Sequence, residues 1–99
     1  MPTNSTTDEV LEKLRAELDR IDEEFLEVLC RRIECCSRIG HHKREHDVPM
    51  MQPHRIGLVH RRAEEFAIKH GLNSKFLRNL YDLIIEETCR LETLIIGKG

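Results

Sequence analysis

Residues 8–47 read DEVLEKLRAELDRIDEEFLEVLCRRIECCSRIGHHKREHD, and the architecture of the chain follows from their pattern. Its apolar residues recur at alternating spacings of three and four, which predicts one unbroken amphipathic helix. The seam comprises Leu11, Leu14, Leu18, Ile21, Phe25, Val28, Arg32, Cys35 and Ile39. Arg32 lies in the seam itself, and Arg15 and Lys43 lie along its edge. A buried cation without a partner is costly, so the placement of these three cations needs an explanation.

The length of this helix predicts an oligomer. At a rise of about 1.5 Å per residue, forty residues form a rod of about 60 Å, whereas a compact monomer of this size has a radius of gyration near ~13 Å. The chain cannot cover such a rod by itself. We therefore expect an intertwined helical-bundle homodimer, in which two long helices pair and the shorter helices of each chain cover the partner.

Local signals divide the chain into three helices. A capping box of Thr6 and Glu9 predicts that the long helix starts near Asp8, after a flexible N-terminus at residues 1–7. The helix should end before Val48, which precedes Pro49, and Gly40 is tolerable within it where a neighbouring backbone comes close.

A second helix should run from residue 54 to about residue 70, with Gly71 as a left-handed cap. Asn73 or Ser74 should cap a third helix that frays at Gly97. The expected core stripes are Ile56, Val59, Ala63, Phe66 and Ala67, then Leu77, Leu80, Ile84, Leu91 and Ile95, with Tyr81, Ile85, Thr88 and Glu92 on an adjacent face. No strand signal occurs, so the sequence predicts an all-α fold, one domain over residues 1–99.

Composition excludes several classes of partner. The net charge of -2 over 99 residues gives no reason to expect nucleic acid or a membrane surface as a partner. Residues 1–7 are small and polar, which predicts neither a signal peptide nor a membrane span. We expect a cytoplasmic protein whose four cysteines are reduced, partly buried thiols.

Several cations fall on faces that periodicity turns toward the interior, namely Arg15, Arg32, Lys43 and Arg55. Each alone could be a rim cation whose stem packs on the core. Together they form a receptor for a small polyanion, since arginine grips carboxylates in a low-dielectric pocket. Lys43 follows Arg32 by about 16 Å along the helix, and Arg15 lies roughly 25 Å from Arg32, so Arg15 joins the same ligand either from a second chain or not at all.

Other chemistries find little support. His42 and His46 are four residues apart but lack a third metal ligand, and Cys35 and Cys36 lack a paired histidine. A glycine-rich phosphate loop is absent from the sequence. We therefore expect no metal and no cofactor.

The chain resembles the all-helical chorismate mutase family from Leu11 to about Leu94, in a register without gaps. The residues that carry the resemblance are Leu14-Arg15, Ile21-Asp22, Arg31-Arg32, Ile39-Gly40, Lys43, Pro49, Arg55, Gly71-Leu72, Leu83-Ile84-Ile85-Glu86 and Thr88. The resemblance implies a dimer with shared pockets that bind a dicarboxylate substrate. It also implies a Claisen rearrangement, one pericyclic step without covalent catalysis.

Residue roles follow from the resemblance. It implies that Arg15 comes from the partner chain to hold one substrate carboxylate, and that Arg32 holds another. Lys43 would donate to a carboxylate and to the ether oxygen. Arg55 matches a pocket arginine, and Thr88 stands where the family has a small hydroxyl residue near the substrate.

Three positions depart from the common family pattern: Gln52 replaces an aspartate, Ile56 a glutamate that accepts from the ring C4 hydroxyl, and Glu92 a glutamine that donates to the ether oxygen. Glu92 could still donate if protonated. Residues 49–56 and 87–92 most resemble the mutases of 4-amino-4-deoxychorismate, which is the substrate we expect. The alternatives are chorismate itself, an isochorismate pyruvate lyase, and a helical binding or dimerisation module without catalysis.

Overall fold

The computed structural model describes residues 2–50 and 53–97. They form three helices, α1 (Pro2–His46), α2 (Pro53–His70) and α3 (Ser74–Gly97), and these ranges contain no strand. The prediction of an all-α chain with three helices, one of them very long, is therefore confirmed. The chain divides into two compact units, Met1–Glu34 and Cys35–Gly99, called here the N-terminal and C-terminal units.

The start of α1 differs from the prediction. The helix begins at Pro2 rather than near Asp8, so Thr6 lies inside the helix and the predicted capping box with Glu9 is wrong. The physical reason is that Pro2 suits a first helical turn, where its missing N–H is not needed, and no glycine or further proline interrupts the chain before Asp8.

The end of α1 lies where the sequence predicted. Asp47 adopts a left-handed backbone with φ of 54°, and Val48 N–H donates to Lys43 O at 3.0 Å. This bond closes the last turn and ends the helix ahead of Pro49. Aspartate is among the few residues other than glycine that tolerate this conformation.

The turn between α2 and α3 also follows the prediction. Gly71 has φ of 68°, and Leu72 N–H donates to Ala67 O at 2.8 Å, which is the Schellman arrangement at a helix end. Asn73 Oδ1 then accepts from Phe76 N–H at 2.9 Å. Asn73 is therefore the N-cap of α3, one of the two residues predicted for that role.

The N-terminal unit is one helical segment whose apolar side chains are exposed in the single chain. The fractional exposures of its large apolar residues range from 42% to 60% for Val10, Leu11, Leu14, Leu18, Ile21, Phe25, Leu26 and Val28. Among its residues ten are acidic and five are basic. The predicted seam is thus present as a face but is not buried within the chain.

In the C-terminal unit α2 packs against α3. Ala63 and Ala67 are buried in α2, and small side chains at these positions allow the neighbouring helix to come close. The predicted α3 stripe from Leu77 to Ile95 is half-buried, whereas Thr88 and Glu92 on the adjacent face are the most deeply buried residues of α3. The sequence predicted the stripe from Leu77 to Ile95 as the core of α3. The structure instead buries Thr88 and Glu92, on the adjacent face, more deeply.

Phe66 corrects the predicted α2 core. The Phe66 side chain is 53% exposed, and the Phe66 ring lies against the His70 ring with centroids 4.1 Å apart. Ala63 and Ala67 are one helical turn apart and both face α3. Phe66 is rotated about the helix axis from that face, so its side chain lies beyond the edge of the contact. Among the described residues, none of the helices has a segment long and apolar enough to cross a membrane.

Candidate active site

The centre of the candidate site is an ion pair in the C-terminal unit. Lys43, near the end of α1, places Nζ 2.9 Å from Glu92 Oε1 on α3. The side chains are only 14% and 10% exposed. A charge pair withdrawn from water in this way is costly unless its hydrogen bonds are satisfied. Here Lys43 Nζ also donates to Met50 O at 2.9 Å.

Gly40 makes this pairing possible, because α1 and α3 come very close one turn before Lys43. A Cβ atom at position 40 would lie 3.2 Å from Glu92 Cγ and 3.4 Å from Ile95 Cδ1. Any side chain would push against the stem of Glu92. The predicted close approach of a neighbouring backbone at Gly40 is confirmed, since Glu92 Cα lies 3.5 Å from the same point.

A second ion pair on α3 shows how unusual the first one is. Arg90 Nε and Nη2 donate to Glu87 Oε1 and Oε2 at 2.8 Å and 2.7 Å. These hydrogen bonds lower the pKa of Glu87 and raise the pKa of Arg90. Both partners are solvent-exposed neighbours on one helix, where such pairs contribute little to stability. Lys43 and Glu92 instead join two helices away from water.

Besides Lys43 and Glu92, two more predicted site residues of the C-terminal unit are at least half-buried, Thr88 and Ile56. Thr88 is 4% exposed, and its hydroxyl donates to Ile85 O at 3.1 Å. It precedes Glu92 by four residues, so the two side chains share one face of α3. Ile56 is half-buried on α2, whereas Arg55 beside it is exposed in the single chain, contrary to its predicted interior position.

The other predicted site residues lie elsewhere in the chain. Arg15 and Arg32 belong to the N-terminal unit. Arg15 is exposed rather than interior in the single chain, and its Nη1 lies 3.1 Å from Glu12 Oε1, whereas Arg32 is half-buried. Arg15 is exposed because the seam beside it is not covered by another helix of the same chain. Gln52 lies outside the described residues.

Three contacts in the C-terminal unit, two at Met50 and one at His60, were missed by sequence reasoning. Met50 lies in the connection after α1, and its Sδ accepts a contact from Thr93 Oγ1 at 2.9 Å, in addition to its carbonyl bond with Lys43. His60 on α2 pairs with Asp82 on α3. No periodic signal identifies a loop carbonyl as an acceptor, but the polar His60 among half-buried neighbours on α2 could have indicated a partner on the facing helix.

Metal chemistry has no site among residues 2–50 and 53–97, where no cluster of three or more His, Cys, Asp or Glu could hold an ion. His42 and His46 stack their rings, with centroids 4.3 Å apart. What this unit offers chemically is a sheltered ammonium donor beside a carboxyl group. Such a pair can bind an anionic or ether oxygen and stabilise charge that develops on it.

Comparison with known proteins identifies the family. The model for chorismate mutase type II matches residues 14–93. A 4-amino-4-deoxychorismate mutase from Streptomyces pristinaespiralis is 53% identical over 89 residues, covering 90% of this chain and 69% of that protein. A 4-amino-4-deoxychorismate mutase from Streptomyces venezuelae is 50% identical over 88 residues, covering 89% of this chain and 85% of that protein.

A third relative is more distant. The T-protein of Haemophilus influenzae is 30% identical over 81 residues, which is 81% of this chain but only 21% of that protein. The resemblance seen in the sequence is thus confirmed by a match that runs from residue 14 to residue 93 and so spans most of the chain. The chain belongs to the chorismate mutase type II family.

Proposed function

We propose that this chain catalyses the Claisen rearrangement of 4-amino-4-deoxychorismate to 4-amino-4-deoxyprephenate. The observation that carries the proposal is the similarity, at 53% and 50% identity over about nine-tenths of the chain, to two mutases named for that substrate. The buried Lys43–Glu92 pair supports it, since it supplies a donor of the kind that the reaction needs.

The reaction asks little covalent chemistry of the protein. The ether C–O bond breaks while a C–C bond forms in the same step, and negative charge develops on the ether oxygen. A positioned donor stabilises that charge, and a closed pocket holds the side chain over the ring. In the proposed arrangement Lys43 donates to a carboxylate and to the ether oxygen. Glu92, when protonated, donates to the ether oxygen as well.

The two substrate carboxylates require further cations. We assign one to Arg32 and one to Arg15 of a second copy of the chain, with Arg55, Gln52 and Thr88 also in the pocket. Arginine suits this role because its planar guanidinium binds a carboxylate through two hydrogen bonds.

A homodimer would bring Arg15 of one copy to the pocket of the other. The exposed apolar face of the N-terminal unit supports this assembly, because a run of side chains that are 42% to 60% exposed is a large apolar surface to leave in water. Charge supports it too. The N-terminal unit has twice as many acidic as basic residues, whereas residues 53–79 contain six basic and two acidic residues. We further propose a cytoplasmic location, a setting in which thiols such as Cys30 and Cys35, exposed in the single chain, stay reduced.

Ile56 bears on the choice of substrate. In the family pattern this position holds an acid that accepts from the C4 hydroxyl of chorismate. An unpaired hydroxyl against isoleucine carries a penalty of about 1 to 3 kcal/mol. Chorismate should therefore be a poor substrate.

The deciding experiment is product identification after incubation with 4-amino-4-deoxychorismate, chorismate and isochorismate side by side. We expect the amino substrate to be converted with the highest kcat/KM and the product to be the rearranged isomer. Equal or better turnover of chorismate would contradict the substrate but not the reaction. A protein that is stabilised against heat by these compounds and leaves their ultraviolet spectra unchanged would be a binding module.

A further inference from the structure

Met50 makes two contacts that the roles proposed above do not use. Its carbonyl oxygen accepts a hydrogen bond from Lys43 Nζ at 2.9 Å, and its Sδ lies 2.9 Å from Thr93 Oγ1. Thr93 follows Glu92 directly in α3. The backbone of Met50 therefore contacts Lys43. The side chain of Met50 contacts the turn of α3 that carries Glu92, the ionic partner of Lys43.

The first contact constrains the direction in which Lys43 can donate. A lysine ammonium has three hydrogens in a tetrahedral arrangement. Within the described residues, one is given to Glu92 Oε1 and one to Met50 O. Two fixed acceptors resist rotation about the Cε–Nζ bond, and the third hydrogen, which the substrate carboxylate and the ether oxygen would share, is held in one direction. With Glu92 as the sole acceptor, only one hydrogen bond would resist that rotation, and the remaining hydrogens would be held less firmly.

The second contact holds the acceptor in place. The Thr93 hydroxyl also reaches Cys89 O at 2.8 Å, a bond to the preceding turn that orients Oγ1 on the helix. Its single hydrogen is shared between that carbonyl and Met50 Sδ. The Met50 side chain thus rests on an oriented polar group and keeps the Met50 carbonyl over Lys43. A preceding turn of left-handed backbone at Asp47 brings the loop back to this position.

We propose that Met50 is a positioning residue, which is anchored on Thr93 through its thioether and aims the third hydrogen of the Lys43 ammonium through its carbonyl. This inference rests on the proposed function, because the aim of that hydrogen matters only when a substrate oxygen is there to receive it. A donor already aimed at the developing charge needs no reorganisation in the transition state, so the aim should affect kcat more than KM.

The test combines Met50→Ala and Thr93→Val with their double variant. Each single variant should reduce kcat by about three- to tenfold, the scale of one hydrogen bond, while KM changes less than about twofold. The double variant should be no slower than the slower single variant, because both act through one contact. Thr93→Ser, which keeps the hydroxyl, is the matched control and should retain wild-type kcat.

A second readout does not depend on turnover. In the protein without substrate, the 15N-labelled Lys43 ammonium should give a resolved NMR signal, because two acceptors slow its rotation and its exchange with water. Met50→Ala and Thr93→Val should broaden that signal, and Thr93→Ser should preserve it. If the wild-type protein converts none of the three substrates, the proposed function fails while this signal still reports on the anchor.

Three results would overturn the inference about Met50 specifically. One is additive losses of kcat in the double variant, and another is an unchanged Lys43 signal in both single variants. The third is a loss of thermal stability that fully accounts for the lost activity, since a structural residue would lower Tm and leave the kcat of the folded fraction intact.

Discussion

The N-terminal and C-terminal units differ in which kinds of side chain they expose and which they bury. The N-terminal unit leaves a row of leucine, isoleucine, valine and phenylalanine side chains 42% to 60% exposed. The C-terminal unit buries small alanines between α2 and α3 and withdraws a lysine and a glutamate from water. The apolar face is therefore where association is expected, and the sheltered polar pair is where chemistry is expected.

Exchange of chains between variants is the most severe test of this difference. Arg15→Ala alters only the N-terminal unit and Lys43→Ala only the C-terminal unit, and each variant should be inactive. An equal mixture should recover about a quarter of wild-type activity, because half of the dimers combine both chains and each of these has one intact pocket. Steady-state turnover after proven subunit exchange is the measurement. A mixture that remains inactive would argue against shared pockets.

Arg32 lies in the seam of the N-terminal unit and is assigned a substrate carboxylate. Arg32→Ala should lose roughly 3 kcal/mol or more of transition-state stabilisation, the scale of removing the charged partner of a buried carboxylate. The dimer should persist, since an apolar residue suits a seam position. Measured kcat/KM gives the loss, and exposed Arg31→Ala is the control. Near-normal turnover by the Arg32 variant would remove it from the site.

The apolar face can be tested by stability alone. Leu18 and Ile68 are both exposed in the single chain, at 54% and 77%, and only Leu18 lies in the seam. If a second copy covers the seam, Leu18→Ala should lower the free energy of unfolding by about 2 to 4 kcal/mol, as for a core leucine. Ile68→Ala should change it by less than about 0.5 kcal/mol.

Urea unfolding at several protein concentrations provides the measurement for this pair of variants. For a dimer, the midpoint rises with concentration and the effect of Leu18→Ala is largest where the dimer is populated. Equal small effects of the two substitutions would mean that the seam stays in water.

The donor role of Glu92 in the C-terminal unit can be tested with two substitutions. If Glu92 donates to the ether oxygen, Glu92→Gln should retain kcat because its amide carries N–H donors, whereas Glu92→Ala should lose about tenfold, the scale of one hydrogen bond. Steady-state kcat of the two variants is the measurement. Equal losses of kcat in both variants would assign Glu92 another role.

The smallest expected effect contrasts two helical glycines. Gly57 in α2 has open space around its Cα, so Gly57→Ala should stabilise the protein by up to about 1 kcal/mol. Gly40→Ala would meet Glu92 Cγ at 3.2 Å, and Glu92 is held by Lys43. Overpacking of about 1 to 3 kcal/mol should then outweigh the gain in helix propensity.

Thermal unfolding of these two glycine variants measures the sign directly. Gly40→Ala should also lower kcat, because the displaced Glu92 no longer meets Lys43 at the same distance. A stabilised and fully active Gly40→Ala variant would show that α3 can give way at this point.

Much of the fold could be predicted because it depends on local chemistry. The turn from Gly71 to Asn73 is specified by its own residues. Gly71 tolerates the positive φ that ends α2, and the side chain of Asn73 caps α3. The start of α1 could not be predicted in this way, since Thr6 and Glu9 form a capping signal but the helix begins four residues earlier, at Pro2. A local signal is decisive where no competing one lies nearby.

The helices, their apolar faces and the family could be inferred from local patterns, because periodicity and caps act within a few residues and the match runs through residues 14–93. Which polar groups meet depends on how the helices pack. Lys43 and Glu92 are separated by 49 residues, and only the close approach at Gly40 brings them together. The packing of the helices also decides that Phe66 is exposed and Thr88 is buried. A helical period sets which residues share a face, but the neighbouring helix sets how deeply that face is covered.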